Sequence, residues 1–567
     1  MLRWIAARFN RGHPLARQLR SPKVLQRFID GLRAREPLAA LRAITAVFDA
    51  IPALGLEASR LRAALDACDQ YAQRLCLVLT DGLLENLPKQ IVSEPAWNTL
   101  LDYYRARERG YREILANLQT TLPGNEEAYA ASVIMACRAA NALSKRCVLL
   151  GMTYADPGQE TWTRIGQLAD ECRVAARSVA LTALYDDGLE QTSLERELLV
   201  TLMFQAAPIA NLLPTQHRAL DLLLRQHAQH FEIRNRFDAT ARPFVIESSA
   251  NCKPARWLPG RKELSTMRFF GPGFAGSEIL RDRDRLESTR KVPYFVEASR
   301  ITVPLFRDLL DRLIDHWSLA PPARQHRRES SAGTILVARD LAHIHRLIGF
   351  SELARAGHSL TEHDASQYAV DAILRAREMP ARSAPTTPSA EPSPAQALEN
   401  LQSYEHALGD DATEPWTLVD SSNEGVGAES IVRGRRLTVG LLIAFRHPDS
   451  IDWKLATIRR LTRGNAARVR IGLETMDGRP HPVRLSLDRA MPAVTTVAGP
   501  ALHYDAIKQT AGSATYLLVP PGVFGPGWRY TLAEKRRWDL IEVKPQIQSE
   551  LDFERAEYSI VPTSMAA

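Results

Sequence analysis

Three residues near position 420 combine a carboxylate, a hydroxyl and a glycine at a defined spacing. Asp420, Ser422 and Gly425 form the pattern D-x-S-x-x-G within the run LVDSSNEGV, directly after one β-like segment and before another. The carboxylate accepts hydrogen bonds from N–H donors, the hydroxyl donates or accepts them, and glycine lets a backbone approach closely or turn. A loop with these groups can bind the edge of a purine. An Asx-type turn in a hairpin is the alternative interpretation.

A cluster of arginines further upstream has the chemistry to bind phosphate. Arg324 and Arg328 are four residues apart, with Arg327 between them, and a strand-like segment follows at 334–338. Guanidinium groups bind phosphate and the O6/N7 edge of guanine through paired hydrogen bonds, and they stack on bases. Taken alone, the cluster is typical of a solvated charged surface. Combined with the pattern at Asp420, it indicates a ligand that carries both phosphate and a purine.

Together, R-x-x-x-R and D-x-S-x-x-G on a small β-barrel resemble the PilZ domain, the bacterial receptor module for cyclic di-GMP. Three later segments, 439–443, 453–460 and 471–474, are similar to that family as well. The resemblance covers roughly 320–345 and 414–490, which is under a quarter of the chain. It implies a PilZ-like barrel in the second half of the protein.

The resemblance also implies which residues contact the ligand. In that family the arginines hold phosphates and guanine edges, while the Asp/Ser loop engages a guanine from the barrel surface. Arg324 and Arg328 match the arginine pair, and the second motif is matched by Asp420, Ser422 and Gly425. Arg327 and Arg460 are candidates for supporting contacts, and alternating exposure along a barrel strand is the alternative explanation for Arg460. Cyclic di-GMP is the expected ligand, and no cofactor is implied.

The elements that precede these motifs are expected to be helical. Residues 1–235 have apolar side chains every three or four positions, as at Leu61, Leu65 and Cys68, which favours an all-α bundle. The sequence shows no fixed repeat period, so a bundle is favoured over a solenoid. From 236 to 318, Pro, Gly and aromatic residues interrupt the helical periodicity. This part is therefore expected to be a mixed connecting region.

The second half of the chain is expected to be rich in β-strands. Short strand-like runs separated by turn residues predict an antiparallel PilZ-like barrel split into 319–346 and 414–490. Residues 347–413 are expected to be an insertion, helical and then Pro-rich and disordered, since long surface insertions add little loop-closure entropy. Residues 491–567 are expected to form a β-rich C-terminal extension. The predicted fold class is therefore α+β multidomain.

Composition restricts the class of protein and its location. The 567 residues are 45% hydrophobic and 24% charged, as in soluble globular proteins, which excludes a collagen-like, mucin-like or wholly disordered chain. The six cysteines show no C-x-x-C and no zinc spacing, so a reduced compartment is expected. There is no signal-peptide pattern and no apolar run of bilayer length. The expected location is the cytoplasm.

No catalytic motif is recognisable, and the protein is expected not to be an enzyme. The sequence contains no Walker A motif, no G-x-S-x-G elbow, and none of the signatures of diguanylate cyclases or their phosphodiesterases. His227 and His230 lie one helical turn apart without an obvious third ligand, which favours a surface pair over a metal site. No metal is therefore expected.

Three functions remain open at the level of sequence. The first is a non-enzymatic cyclic di-GMP receptor that acts on unknown protein partners through its helical domain. The second is a scaffold or adaptor with a degenerate barrel that binds no nucleotide, because about ninety residues separate the two motifs. The third is a basic helical binder of nucleic acid or a membrane surface. The net charge of +7 is too mild to demand nucleic acid, and the basic stretch from Arg3 to Arg27 favours a solvated arm over peripheral membrane contact.

Overall fold

A computed structural model describes residues 13–86, 93–121, 126–174, 176–185, 191–250, 252–258, 260–320, 329–357, 392–409, 412–422, 424–431, 437–464, 468–487, 503–525, 528–534 and 537–562. The chain divides into two compact units, Met1–Ala323 and Arg324–Ala567. The first is mainly helical and the second is mainly β.

Helices make up most of the first unit. Proline stands in the first turn of the first three helices, where its missing N–H leaves no hydrogen bond unmade. The helices are α1 (Pro14–Leu19), α2 (Pro22–Arg33), α3 (Pro37–Leu54), α4 (Ala58–Asn86), α5 (Glu94–Thr121), α6 (Glu126–Met152), α7 (Gln159–Val174), α8 (Leu194–Ala206), α9 (Pro214–Gln226), α10 (Ala275–Thr289) and α11 (Val303–Trp317).

Short strands complete the first unit. They are β1 (Thr182–Ala183), paired with β2 (Gln191–Thr192), and a sheet in the order β3-β6-β4-β5, made of β3 (Glu232–Arg234), β4 (Phe244–Glu247), β5 (Ala255–Arg256) and β6 (Met267–Gly271). Phe244, Phe270 and Phe306 are at most 1% exposed and belong to the same apolar core as the helices. Residues 236–318 are therefore part of the first unit's core, whereas the sequence indicated a connecting region. Their aromatic side chains supply the apolar area that such short strands lack.

One helix among the described residues, α3, is long and apolar enough by length and composition to cross a membrane. Its side chains Leu41, Ile44 and Phe48 are at most 1% exposed and pack into the core of the first unit. A core helix passes the same length and composition test, so α3 is weak evidence for a membrane span.

A fully buried ion pair lies at the centre of the helical unit. The Arg107 Nε and Asp69 Oδ1 atoms are 2.9 Å apart, and both side chains are 0% exposed. Tyr111 and Tyr185 donate hydrogen bonds to Asp69 Oδ2 at 2.8 and 3.1 Å, and Tyr103 donates to Oδ1. Burial alone would raise the pKa of Asp69, but Arg107 and the tyrosine hydroxyls lower it below its ordinary value. The carboxylate thus stays ionised and joins α4 to α5.

Removing the Asp69 carboxylate should destabilise the first unit strongly. Asp69→Ala leaves Arg107 charged and unpaired in the core, so the free energy of unfolding should fall by about 3–5 kcal/mol. Chemical denaturation measures this loss. Asp49→Ala is the matched control, because the Asp49–Arg109 pair is 50% and 60% exposed, and it should lose less than about 1 kcal/mol. Equal losses in the two variants would contradict the role of the buried pair.

Six strands of the second unit close into an antiparallel barrel, called here the first barrel. They are β7 (Glu329–Arg339), β8 (Glu414–Ser422), β9 (Gly425–Ile431), β10 (Leu442–Arg446), β11 (Lys454–Arg463) and β12 (Arg468–Thr475). Their order is β7-β8-β9-β12-β11-β10, and β10 pairs back to β7. In β7, Ile335 and Val337 are at most 1% exposed, while Leu336 is half-buried on the other face. Residues on both sides of the insertion thus build one barrel.

Six further strands close into a second barrel. They are β13 (Pro480–Leu487), β14 (His503–Ala511), β15 (Ala514–Val519), β16 (Arg529–Glu534), β17 (Arg537–Ser549) and β18 (Glu554–Ile560), in the order β13-β14-β15-β18-β17-β16. The sequence indicated that 414–490 forms the first barrel, but β13 pairs with β14 and β16 and lies in the second. The apolar and polar side chains of β13 alternate as they would in a strand of either barrel. Only the pairing of β13 with its neighbours decides which barrel it joins.

Two helices between β7 and β8 pack between the barrels, and the first begins at Leu341, inside the segment 319–346 that was expected to belong to the first barrel. Helix α12 (Leu341–Arg355) follows β7 directly, and helix α13 (Pro394–Ala407) precedes β8. One apolar core joins both helices to strands of both barrels, including Leu347, Leu401, Leu455 and Ile507.

Helix α13 corrects the expected extent of the disordered insertion. Residues 394–407 were expected to continue a Pro-rich disordered segment, yet they are helical. Ser393 Oγ accepts a hydrogen bond from the Gln396 N–H at 3.3 Å, and Pro394 occupies the first turn, so the proline starts the helix instead of preventing it. Buried Arg446 of β10 then anchors α13 through Glu405 at 2.5 Å. Residues 358–391 lie outside the described part of the chain.

The turn between β17 and β18 brings an acidic side chain against the first barrel. Asp552 Oδ1 accepts a hydrogen bond from the Leu442 N–H at 2.9 Å. Burial raises the pKa of Asp552 from 3.8 to about 7, and the nearby Asp340 and Glu550 carboxylates act in the same direction. The folded state therefore binds the proton of the Asp552 carboxyl more tightly than the unfolded state does. The stability that this protonation contributes is present below pH 4 and is lost as the pH rises to about 7.

Replacing Asp552 with asparagine should remove this pH dependence. Between pH 5 and pH 8, wild-type protein should lose about 1–2 kcal/mol more unfolding free energy than Asp552→Asn, since asparagine keeps the acceptor for Leu442 but cannot ionise. Denaturation of both proteins at the two pH values measures the difference. Parallel pH profiles would show that Asp552 does not titrate in this range.

Candidate ligand site on the first barrel

The D-x-S-x-x-G residues form the tight hairpin between β8 and β9. Asp420 and Ser422 belong to the end of β8, Gly425 is the first residue of β9, and Ser422 pairs with Gly425 across the turn. Ser422 Oγ donates a hydrogen bond to the Gly425 carbonyl oxygen at 3.2 Å. The motif expected as a loop therefore lies at the ends of two strands, and its serine stabilises the turn between them.

Gly425 has a structural reason to be glycine. A Cβ at this position would lie 2.5 Å from the carbonyl oxygen of Leu473 on β12. Any side chain would therefore push β9 away from β12 at the point where Gly425 pairs with Glu474. Glycine permits the close backbone approach that keeps this corner of the barrel closed.

A β-bulge directs Asp420 onto the outer face of the barrel. The register of β8 against β9 shifts between Leu418 and Asp420, so that Asp420 pairs with Gly427. A Cβ on Gly427 would lie 2.4 Å from Asp420 Oδ1, which shows that the carboxylate packs directly on this glycine. The Asp420 side chain is 17% exposed, and its Oδ2 atom lies 3.7 Å from Nη2 of Arg470 on β12.

A second glycine extends this surface beyond Asp420. Gly472 of β12 pairs with Gly427 on one side and with Arg460 of β11 on the other. Gly472 is half-buried, and a Cβ added to Gly472 would lie 3.1 Å from the Cβ of Arg460. The area around Gly427 and Gly472, bordered by Asp420, Arg460 and Arg470, is called here the glycine patch.

The glycine patch has the groups that a guanine nucleotide requires. Gly427 is buried beneath the Asp420 carboxylate, whereas half-buried Gly472 has no side chain and lets a planar base approach β12 there. The Asp420 carboxylate accepts hydrogen bonds from N–H donors, and Arg470, which is 62% exposed, can donate to carbonyl, ring nitrogen or phosphate acceptors. One anionic and two cationic side chains therefore border the partly exposed strand at Gly472.

The structure brings together some of the residues singled out from the sequence. Asp420, Ser422 and Gly425 lie in one hairpin, and Arg460 reaches the far side of the glycine patch. Arg324, Arg327 and Arg328 lie outside the described residues. The first described residue after them, Glu329, pairs with Ser421 beside the motif, and Ser330 pairs with Asp420 itself.

Sequence reasoning did not identify Arg470, Gly427 or Gly472. The segment 468–474 alternates polar or glycine residues with Val, Ile and Leu, and this period of two places Arg470 and Gly472 on the outer face. Strand β9 was not predicted from the sequence, because it contains glycines and glycine is depleted in strands. What the sequence could not indicate is the register that sets these residues beside Asp420.

Comparison with known families identifies a different part of the chain. Residues 23–238 match the family described as "Cyclic-di-GMP receptor FimW, N-terminal domain". The matched stretch runs from α2 to just beyond β3 and lies in the first unit. No curated protein and no solved structure matches the chain. The first unit is thus similar to a domain of a cyclic di-GMP receptor, and the likeness of the first barrel to PilZ remains a prediction from its motifs.

Substituting Gly425 should destabilise the first barrel even in the absence of ligand. Gly425→Ala forces a shift of backbone against Leu473, so the free energy of unfolding should fall by roughly 1–3 kcal/mol. Gly464→Ala is the control, because its Cβ would meet nothing nearer than the Arg468 carbonyl oxygen at 3.9 Å, and it should stay within about 1 kcal/mol of wild type. Thermal denaturation compares the two, and an unchanged melting temperature for Gly425→Ala would refute the close approach.

Proposed function

We propose that the chain is a non-enzymatic receptor for cyclic di-GMP, that it works in the cytoplasm, and that its barrel is PilZ-like. The observation that carries the proposal is the agreement of two indications: the family match lies at 23–238, and the ligand motifs lie at 324–328 and 420–425. These two indications come from different residues, so neither depends on the other. Both lead to the same ligand.

The glycine patch would bind one guanine of that ligand. Asp420 would accept hydrogen bonds from the guanine N1–H and N2–H groups, and Arg460 or Arg470 would donate to O6, N7 or phosphate. Arg470 can exchange its partner easily, because its contact with Asp420 is long, at 3.7 Å, and its own side chain is 62% exposed.

The arginines before β7 would bind the phosphates. Arg328 immediately precedes Glu329, whose backbone pairs with Ser421 in the motif hairpin. A chain spans at most about 3.6 Å per residue, so the Arg324 Cα lies within about 18 Å of the Glu329 Cα. With the length of an arginine side chain added, the segment can reach a dinucleotide on the glycine patch.

The first unit would carry the signal to protein partners. Its helices, the part of the chain that matches a receptor's N-terminal domain, lie apart from the ligand motifs in the sequence and would carry the output. Arg17 on α1, Arg20 just after it and Lys23 at the start of α2 are exposed, and they would allow peripheral contact with an anionic membrane surface.

Calorimetry with cyclic di-GMP tests the receptor function directly. Wild-type protein should bind, and Asp420→Ala, Arg324→Ala and Arg328→Ala should each weaken binding at least about tenfold, since one charge-assisted contact contributes about 1.5–3 kcal/mol. The melting temperature of ligand-free Asp420→Ala should change little, because the 3.7 Å contact of Asp420 with the exposed Arg470 contributes little to folding.

Asp505→Ala provides the matched control on the second barrel. Asp505 faces Arg484 across β13 and β14 at 3.7 Å, the same separation as in the Asp420–Arg470 pair. Its loss should leave binding unchanged. Absence of binding by wild-type protein at about hundred-micromolar nucleotide would reject the receptor function and favour the adaptor with a degenerate barrel, since a Kd above that level corresponds to under ~5.5 kcal/mol of binding free energy.

A further inference from the structure

The second barrel repeats the strand order of the first. Both run first-second-third-sixth-fifth-fourth around the barrel, β7-β8-β9-β12-β11-β10 in one and β13-β14-β15-β18-β17-β16 in the other. The hairpin that corresponds to β8–β9 is β14–β15, where Ala511 pairs with Ala514 as Ser422 pairs with Gly425. Neither alanine offers a side-chain donor or acceptor. At this hairpin the second barrel therefore lacks the serine hydroxyl of the first barrel, although the two barrels share their strand order.

The second barrel instead contacts the first through the turn between β17 and β18. Glu550 Oε1 lies 2.9 Å from Arg459 Nη1 on β11, and Asp552 accepts from the Leu442 N–H on β10. Phe553, in the same turn, is 1% exposed and packs in the core shared by both barrels. The turn is thus fixed to the first barrel by one ion pair, one hydrogen bond and one buried ring.

The residue that Glu550 contacts belongs to a β-bulge next to the glycine patch. The register of β11 against β12 shifts between Ile458 and Arg460, which leaves Arg459 as the extra residue. Arg459 Nε also lies 2.6 Å from Glu474 Oε2, so this guanidinium is held between two carboxylates from different barrels. Arg460 follows directly and pairs with Gly472.

A bulge fixes two side-chain directions together. Two consecutive residues oppose one residue of the neighbouring strand, and the conformation of the first determines where the second points. Glu550 is 12% exposed while Glu474 is 56% exposed, so the better-shielded carboxylate on Arg459 comes from the second barrel. The direction of Arg460 over the glycine patch therefore depends on a residue outside its own barrel.

We infer that Glu550 of the second barrel is a positioning residue for the ligand site, because it holds the Arg459–Arg460 bulge in the geometry that places Arg460 beside Gly472. The inference rests on the proposed cyclic di-GMP function. It assigns the second barrel a role in positioning a residue of the site on the first barrel.

A double-mutant cycle tests this coupling with full-length protein and cyclic di-GMP in calorimetry. Glu550→Ala should weaken binding about three- to tenfold without touching the ligand, in line with couplings of this kind. Arg460→Ala should weaken it as well. If Glu550 acts through Arg460, the double variant should bind no more weakly than Arg460→Ala alone, whereas a general loss of folding would make the two effects add.

Glu542→Ala is the control within the second barrel. Glu542 also pairs with an arginine, Arg529, at 3.4 Å, but both side chains are about half exposed and both belong to the second barrel. This variant should bind as wild type does. Reciprocal coupling further predicts that the ligand slows amide hydrogen exchange at 549–553.

The outcomes separate the inference from the function on which it rests. If wild-type protein binds no cyclic di-GMP, the proposed function fails. If wild-type protein binds and Glu550→Ala binds equally well, or if the losses in the cycle add, the receptor stands and the positioning role of Glu550 is overturned.

Discussion

The close approach of β9 to its two neighbours is the constraint on which the candidate site depends. At Gly425 the backbone of β9 leaves no room for a Cβ against Leu473, and at Gly427 the space of a Cβ is taken by the Asp420 carboxylate. Glycine at both positions lets β8, β9 and β12 lie close enough to close the barrel. Both glycines are buried and serve barrel closure, whereas Gly472 of the glycine patch is only half-buried.

Ion pairs in the two units differ in burial and in the distance between the charged groups. In the helical unit, Asp69 and Arg107 are fully buried and satisfied by each other and by tyrosines, which makes them part of the folding core. On the first barrel, Asp420 and Arg470 are 17% and 62% exposed at a loose 3.7 Å. A buried pair resists exchange because either partner alone would be an uncompensated charge, whereas a loose exposed pair can change partners. The second arrangement is the one suited to binding.

The two barrels of the second unit share one strand order and are packed against each other. Helices α12 and α13 fill the space between the barrels with a common apolar core, and the β17–β18 turn adds polar contacts at Leu442 and Arg459. A change at the glycine patch would therefore meet a tightly packed neighbour. Packed interfaces of this kind change between discrete arrangements instead of deforming gradually, which is a property that a signalling receptor can use.

The sequence by itself determined the helical character of the first unit, the faces of β7 and the residues of the D-x-S-x-x-G hairpin, since periodicity and turn chemistry are local properties. It did not assign β13 to the second barrel, detect β9 or predict the start of α13 at Pro394. Nor did it bring Arg470 next to Asp420, Gly472 next to Gly427, or Glu550 next to Arg459. Those relations depend on register, on bulges and on which strand closes which barrel. A one-residue shift in pairing moves a side chain to the opposite face, so only the assembled tertiary structure decides them.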